Sequence, residues 1–254
     1  MTAGVPLAGV ASDWLEVLRP VDAARLRLVL FPYAGGRPAA FRSWPLDLPA
    51  DVEVVAVSYP GRGARLGEAP VRRADALAAQ VAAALAPGLD VPTAFFGHSM
   101  GALVAFETAR ALRRGGLRQP VLLCPSGQAA PDLPVTDHPL HALPDDAFVA
   151  ALSGMGGTPP EILASRELMT LLLPSLRADF ELCERYRFAP EPLLDIPFVA
   201  FAGTHDAEAP ESDVSRWEAH TTAPATLHRV AGGHFFLHDA EPVVCGMLAE
   251  ALAA

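Results

Sequence analysis

The sequence predicts an α/β protein built on a mostly parallel, doubly wound sheet that carries a helical insertion. Three observations lead there. Short apolar runs of strand length recur along the 254 residues and alternate with segments of helical spacing. Most of these runs are continuously apolar rather than alternating, as expected of strands buried on both faces of a parallel sheet. One long stretch, residues 126–192, breaks the rhythm with helical patterns and no convincing strand.

In chain order, strands are expected over residues 26–31 (LRLVLF), 52–58 (VEVVAVS), 93–96 (TAFF), 120–124 (PVLLC), 196–201 (IPFVAF) and 226–230 (TLHRV). Helices are expected between or after them, over 71–86, 102–114, 212–219 and 241–253. Inside the insertion, helical patterns cover 144–152, 159–163 and 166–187, and Pro174 is expected to kink or split the last of them. Ligands of open α/β sheets bind at the carboxyl ends of the strands, so an insertion placed there reads as a lid. No repeat or low-complexity linker interrupts the chain, and a single domain over 1–254 is expected, with 126–192 as its lid.

Composition narrows the chemistry. Apolar residues make up 51% and charged residues 19%, with a mean hydropathy of +0.27, which suits a folded chain with a large core. All 19 basic residues are arginine. A chain without lysine has no P-loop, no pyridoxal Schiff base, no kinase lysine and no Ser-x-x-Lys site. The net charge of −10 opposes nonspecific binding to nucleic acid or to an anionic membrane. No apolar run approaches the roughly 18 residues of a spanning helix, and the first residues lack a basic region, so a soluble cytoplasmic protein is expected. Cys124, Cys183 and Cys245 are odd in number and widely spaced, which suggests neither disulfides nor a zinc site. No metal centre is expected.

The sharpest motif is Gly97-His98-Ser99-Met100-Gly101, a Gly-x-Ser-x-Gly pattern between the apolar run TAFF and the helical run ALVAFETARALRR. That is the strand-turn-helix context of a nucleophilic serine, where glycines permit a turn too tight for side chains. A serine hydroxyl needs a base, and the base needs a carboxylate to fix its tautomer. Asp206 follows the run IPFVAF and His234 follows TLHRV, in the expected order of acid then base. His238 rivals His234, while Asp213 and Asp239 shadow Asp206. The remaining histidines, His98, His138, His141, His205, His220 and His228, read more simply as surface or satisfied groups. For the oxyanion, the Met100 N–H follows the nucleophile, and the loop Phe31-Pro32-Tyr33-Ala34-Gly35-Gly36 offers a second donor, Ala34 being preferred.

These residues, together with SYPGRG at 58–63, GGTPPEIL at 156–163, ELMTLLLPSLRADFELCERY at 167–186 and GGHFFL at 232–237, resemble the type II thioesterases of polyketide and nonribosomal peptide assembly lines. The resemblance spans nearly the whole chain. It implies an α/β-hydrolase fold and an editing enzyme that hydrolyses stalled or misprimed acyl groups from the phosphopantetheine arm of carrier proteins. It also implies Ser99 as nucleophile, His234 as base, Asp206 as orienting acid, and Ala34 and Met100 as oxyanion donors. Carrier-protein domains are the expected partners, the phosphopantetheine belongs to the substrate, no cofactor is needed, and a monomer is expected. Met155, Leu168, Met169, Leu172, Leu176 and Phe180 are candidates for an acyl channel, and Arg62 and Arg65 for contact with an acidic carrier domain. Arg110, Arg113, Arg114 and Arg118 read instead as cations suited to a helix C-terminus. The alternatives are an esterase, an acyltransferase or a chain-releasing thioesterase with the same triad, and a noncatalytic ligand-binding protein of the same fold.

Overall fold

The computed structural model describes residues 12–134 and 139–253. Seven strands form one sheet: β1 (Leu15–Arg19), β2 (Leu26–Phe31), β3 (Val52–Val57), β4 (Thr93–His98), β5 (Leu122–Ser126), β6 (Phe198–Gly203) and β7 (Ala225–Val230). Their order is β1-β3-β2-β4-β5-β6-β7. Every neighbouring pair is parallel except β1 with β3. The six expected strands are all present, with ends displaced by at most two residues. The addition is β1, whose five half-exposed residues LEVLR form an edge too short and too wet to give an apolar run.

The helices are α1 (Ala74–Leu85), α2 (Met100–Arg114), α3 (Asp145–Met155), α4 (Pro160–Ala164), α5 (Arg166–Glu184), α6 (Glu211–Ser215), α7 (Phe236–Asp239) and α8 (Glu241–Ala253). The chain before α1 is still extended at Arg73, which shortens the helix expected from residue 71. The helix expected over 212–219 divides into α6 and the 3-10 turn Arg216–His220. Pro174 does not split the lid helix, which stays continuous from Arg166 to Glu184. Buried Met169 before the proline and Leu176 after it share one lid core with Phe148 and Leu152, and this packing keeps the two halves together.

Side-chain parity along each strand separates two cores, because successive residues point to opposite faces. Val29, Phe31, Phe95, Leu123 and Phe198 pack under α1, α2 and Trp217. Leu28, Leu30, Phe96, Cys124 and Phe201 pack under α8 and the turns that carry Phe41 and Trp44. Both faces are thus sealed, which leaves the carboxyl ends of the strands as the place where loops and lid meet.

Candidate active site

Strand β4 ends at His98 and α2 begins at Met100, so Ser99 alone makes the turn. Its φ of 53° is the one positive value of a non-glycine residue among the described residues. The Ser99 N–H donates to the Ser126 carbonyl at the end of β5, 2.8 Å away, and anchors this strained backbone. A Cβ at Gly97 would stand 2.2 Å from the Gly101 carbonyl oxygen, and one at Gly101 only 2.0 Å from that of Phe31. The two motif glycines therefore let β4, α2 and the end of β2 close around the serine.

His234 stands on the loop after β7, with Nε2 3.1 Å from Ser99 Oγ and Nδ1 2.9 Å from Asp206 Oδ2. Asp206 caps the turn after β6, where its Oδ1 accepts the N–H groups of Glu208 (2.9 Å) and Ala209 (3.1 Å). Its side chain is fully sealed from solvent. The structure thus brings Ser99, Asp206 and His234 together in the connectivity a serine nucleophile requires. His238 is engaged elsewhere: its Nε2 lies 2.8 Å from the Tyr33 hydroxyl, and burial lowers its pKa. Asp213 accepts from the Ser212 hydroxyl on the surface.

The other histidines have structural partners. His98 is sealed behind His234, its Nδ1 2.9 Å from Ser126 Oγ, and burial pushes its pKa well down, so the ring is neutral. His141 pairs with Glu184, His205 with Thr204 and His220 with Asp132, while His228 lies against the Phe201 ring. His138 lies outside the described residues.

Around the nucleophile, the Met100 N–H opens α2, where first-turn donors have no carbonyl one turn earlier. Ala34 lines the same cavity as Ser99, and its N–H meets no acceptor among the described residues. The next donor, Gly35 N–H, is committed to Asp179 Oδ2 at 2.7 Å.

A cavity of about 490 Å³ opens from Ser99 and His234 toward the lid. Its walls include Leu103, Leu140, Leu152, Met155, Leu176 and Phe180. Of the six channel candidates, Met155, Leu176 and Phe180 line this cavity. The other three do not line it. Leu168 is 40% exposed, and Met169 and Leu172 belong to the same apolar cluster as Leu176 and Phe180 but lie off the cavity wall. Helical spacing fixes a face but not which half of it meets a cavity.

Arg62 and Arg65 also depart from expectation, since both are buried and neither offers a docking contact. Arg62 makes a two-pronged ion pair with Asp179, at 2.5 and 2.6 Å. Arg65 donates to the Ser58 carbonyl, pairs with Glu68, and lays its guanidinium 3.9 Å over the Trp14 ring beside β1. The SYPGRG segment thus serves the architecture. Arg110, Arg113 and Arg114 converge on Glu191, which ties α2 to the chain leaving the lid.

Among known families, the model described as "Thioesterase domain" matches residues 26–252. The chain belongs to the thioesterase family. This thioesterase is 39% identical to the thioesterase PikA5 of Streptomyces venezuelae, over 97% of its own length and 88% of the relative's. It is 37% identical to the gramicidin S biosynthesis protein GrsT of Aneurinibacillus migulanus, over 91% and 90%. Among solved structures it superposes on RedJ, a thioesterase of the prodiginine pathway in Streptomyces coelicolor, with a TM-score of 0.84, 40% identity and coverage of 90% and 91%. The thioesterase therefore has the α/β-hydrolase fold and is a serine hydrolase acting on thioesters, and it groups with the solved type II thioesterases BorB and YbtT, each at a TM-score of 0.85. Sequence reasoning missed two links in its site, Tyr33 with His238 and Asp179 with Gly35. The signal for the second was present in YPGRG and LRADF, two motifs noticed separately whose Arg62 and Asp179 form one pair.

Proposed function

We propose that this thioesterase is an editing enzyme of a polyketide or nonribosomal peptide pathway. It frees carrier proteins of stalled or misprimed acyl groups by hydrolysing the thioester to the phosphopantetheine arm. The observation that carries the reading is the spacing of Ser99, His234 and Asp206, at 3.1 and 2.9 Å, at the mouth of an apolar cavity suited to an acyl chain. The names of the relatives point to the same class of pathway.

In this reaction His234 Nε2 takes the Ser99 proton as Oγ attacks the thioester carbonyl, and Asp206 stabilises the resulting imidazolium. The oxyanion accepts hydrogen bonds from the Ala34 and Met100 N–H groups. Collapse expels the phosphopantetheine sulfur, which takes the proton from His234 and leaves acyl-Ser99. Water then gives a proton to His234, attacks the acyl carbon and displaces Ser99 Oγ, which recovers that proton. The products are a carboxylic acid and a free carrier thiol. No metal or cofactor enters these steps, and a cytoplasmic monomer suffices for them.

The test is hydrolysis of acetyl-, propionyl- and longer acyl-carrier-protein thioesters by the wild type and by Ser99→Ala, with oxygen esters as controls. Ser99-dependent release that favours carrier-bound thioesters is expected. Turnover of oxygen esters alone would overturn the reading.

A further inference from the structure

The loop that carries Ala34 is held by the lid. The Gly36 N–H donates to the Tyr33 carbonyl at 2.8 Å, closing a four-residue turn, and Gly35 sits at its third position with φ of +74°. Those values describe a type II turn, whose central peptide is turned over relative to a type I turn, so its N–H points to the opposite side. Here that N–H, on Gly35, donates to Asp179 Oδ2 at 2.7 Å. Asp179 belongs to α5, and so does Leu176, whose Cδ2 stands 2.6 Å from where a Gly35 Cβ would be. One face of the lid helix therefore grips the turn through a hydrogen bond and a close apolar contact.

A bare carboxylate beside an oxyanion would repel the charge that develops in the transition state. Arg62 removes the problem: its two Nη groups take both Asp179 oxygens, and the two side chains are only 4% and 2% exposed. The pair can thus accept from Gly35 while presenting no net charge to the site.

We infer that Asp179, neutralised by Arg62, is a positioning residue that fixes the Tyr33–Gly36 turn so that the Ala34 N–H, and not the Gly35 N–H, serves the oxyanion. The oxyanion hole is then complete only with α5 seated on this turn, which makes the lid a part of the catalytic geometry as well as a cover. The inference rests on the hydrolytic reading of Ser99, and wild-type turnover measured alongside separates the failure of one from that of the other.

Two variants test it. Asp179→Ala removes the acceptor, and the double variant Asp179→Asn with Arg62→Gln keeps an acceptor for Gly35 N–H without either charge. With an acyl-carrier thioester as substrate, Asp179→Ala is expected to lose about 100-fold in kcat with KM changed less than about threefold. The double variant is expected to recover to within about tenfold of wild type, because an amide oxygen can hold the turn. An alkylboronic acid, which adds to Ser99 as a tetrahedral anion, should bind Asp179→Ala more weakly in proportion to the loss in kcat/KM. Binding of intact thioester in a Ser99→Ala background should be unaffected by the change at position 179. If Asp179→Ala does not fold, the double variant and its boronate affinity carry the test alone. The inference is overturned if Asp179→Ala keeps wild-type kcat, if boronate affinity is unchanged, or if the double variant folds but has lost kcat about 100-fold.

Discussion

Asp206 holds His234 through Oδ2 at 2.9 Å from Nδ1, while its own Oδ1 is occupied by the backbone of Glu208 and Ala209. The carboxylate is thus fixed from behind before it fixes the imidazole. Asp206→Asn keeps the shape but can present an N–H to Nδ1, which favours the tautomer that leaves Nε2 protonated and unable to accept from Ser99. A loss in kcat of about 10³–10⁴-fold is expected, with little change in KM or in thermal midpoint. Steady-state kinetics on a carrier thioester check this; a loss below about tenfold would mean that the contact is not the one that orients the base.

The glycines around Ser99 carry a stability prediction independent of chemistry. A Cβ at Gly101 would lie 2.0 Å from the Phe31 carbonyl oxygen, which is backbone and has no rotamer to escape through. Gly101→Ala should therefore destabilise the fold by about 3 kcal/mol, at the upper end for overpacked sites. Urea unfolding followed by circular dichroism measures it. At Gly116 nothing lies within 4 Å of the added carbon, but φ is +65°, so Gly116→Ala isolates the backbone component of the cost.

The Ser99 turn and its partners mark where the sequence was most readable, and the Arg62–Asp179 pair where it stopped. Strand runs, the Ser99 turn, and the positions of Asp206 and His234 follow from local patterns: apolar continuity, a glycine-flanked serine, and residues one turn past a strand end. What lay hidden is long-range. Arg62 and Asp179 are far apart in sequence and meet only because α5 folds back over the Ala34 loop. An arginine read as solvent-facing becomes buried once a carboxylate from a distant helix compensates its charge. In the same way Leu168 and Leu176 share one helix with similar spacing signals, and only packing against α3 decides which of them faces the cavity.

The buried imidazole of His98 makes stability depend on pH. Burial, aided by neighbouring His234, lowers its pKa well below the ordinary value, so the native ring resists a proton that the unfolded chain accepts near pH 6.5. The unfolded state then binds more protons than the native state. Stability contributed by the neutral ring is fully present above about pH 6.5 and is lost as the pH falls below it, by at most about 1.4 kcal/mol per unit. His238, lowered by burial too, adds in the same direction. Urea midpoints of wild type and His98→Gln at about pH 7.5 and pH 5.5 should show a steeper acid loss in wild type. Parallel losses would assign the pH dependence to other groups.

The cavity makes the last prediction. Met155 ends α3 on the wall of the space that opens from Ser99, beside Gly156, whose φ of +77° ends the helix, and Gly157, which lies against the Phe235 ring next to His234. Exchanging the flexible thioether for an indole on this wall should take up cavity volume that a long acyl chain needs and a two-carbon chain does not. With Met155→Trp, hydrolysis of decanoyl-carrier thioester should fall by about 10–200-fold in kcat/KM, the range for a pocket that loses room for a methylene or two. Acetyl-carrier thioester should turn over within about threefold of wild type, since Ser99, Asp206, His234 and the Ala34 and Met100 N–H groups are unchanged. A chain-length series from two to ten carbons separates the outcomes. A uniform decline would place the effect on lid seating, and an unchanged profile would show that the acyl chain leaves Ser99 by a route that does not pass Met155.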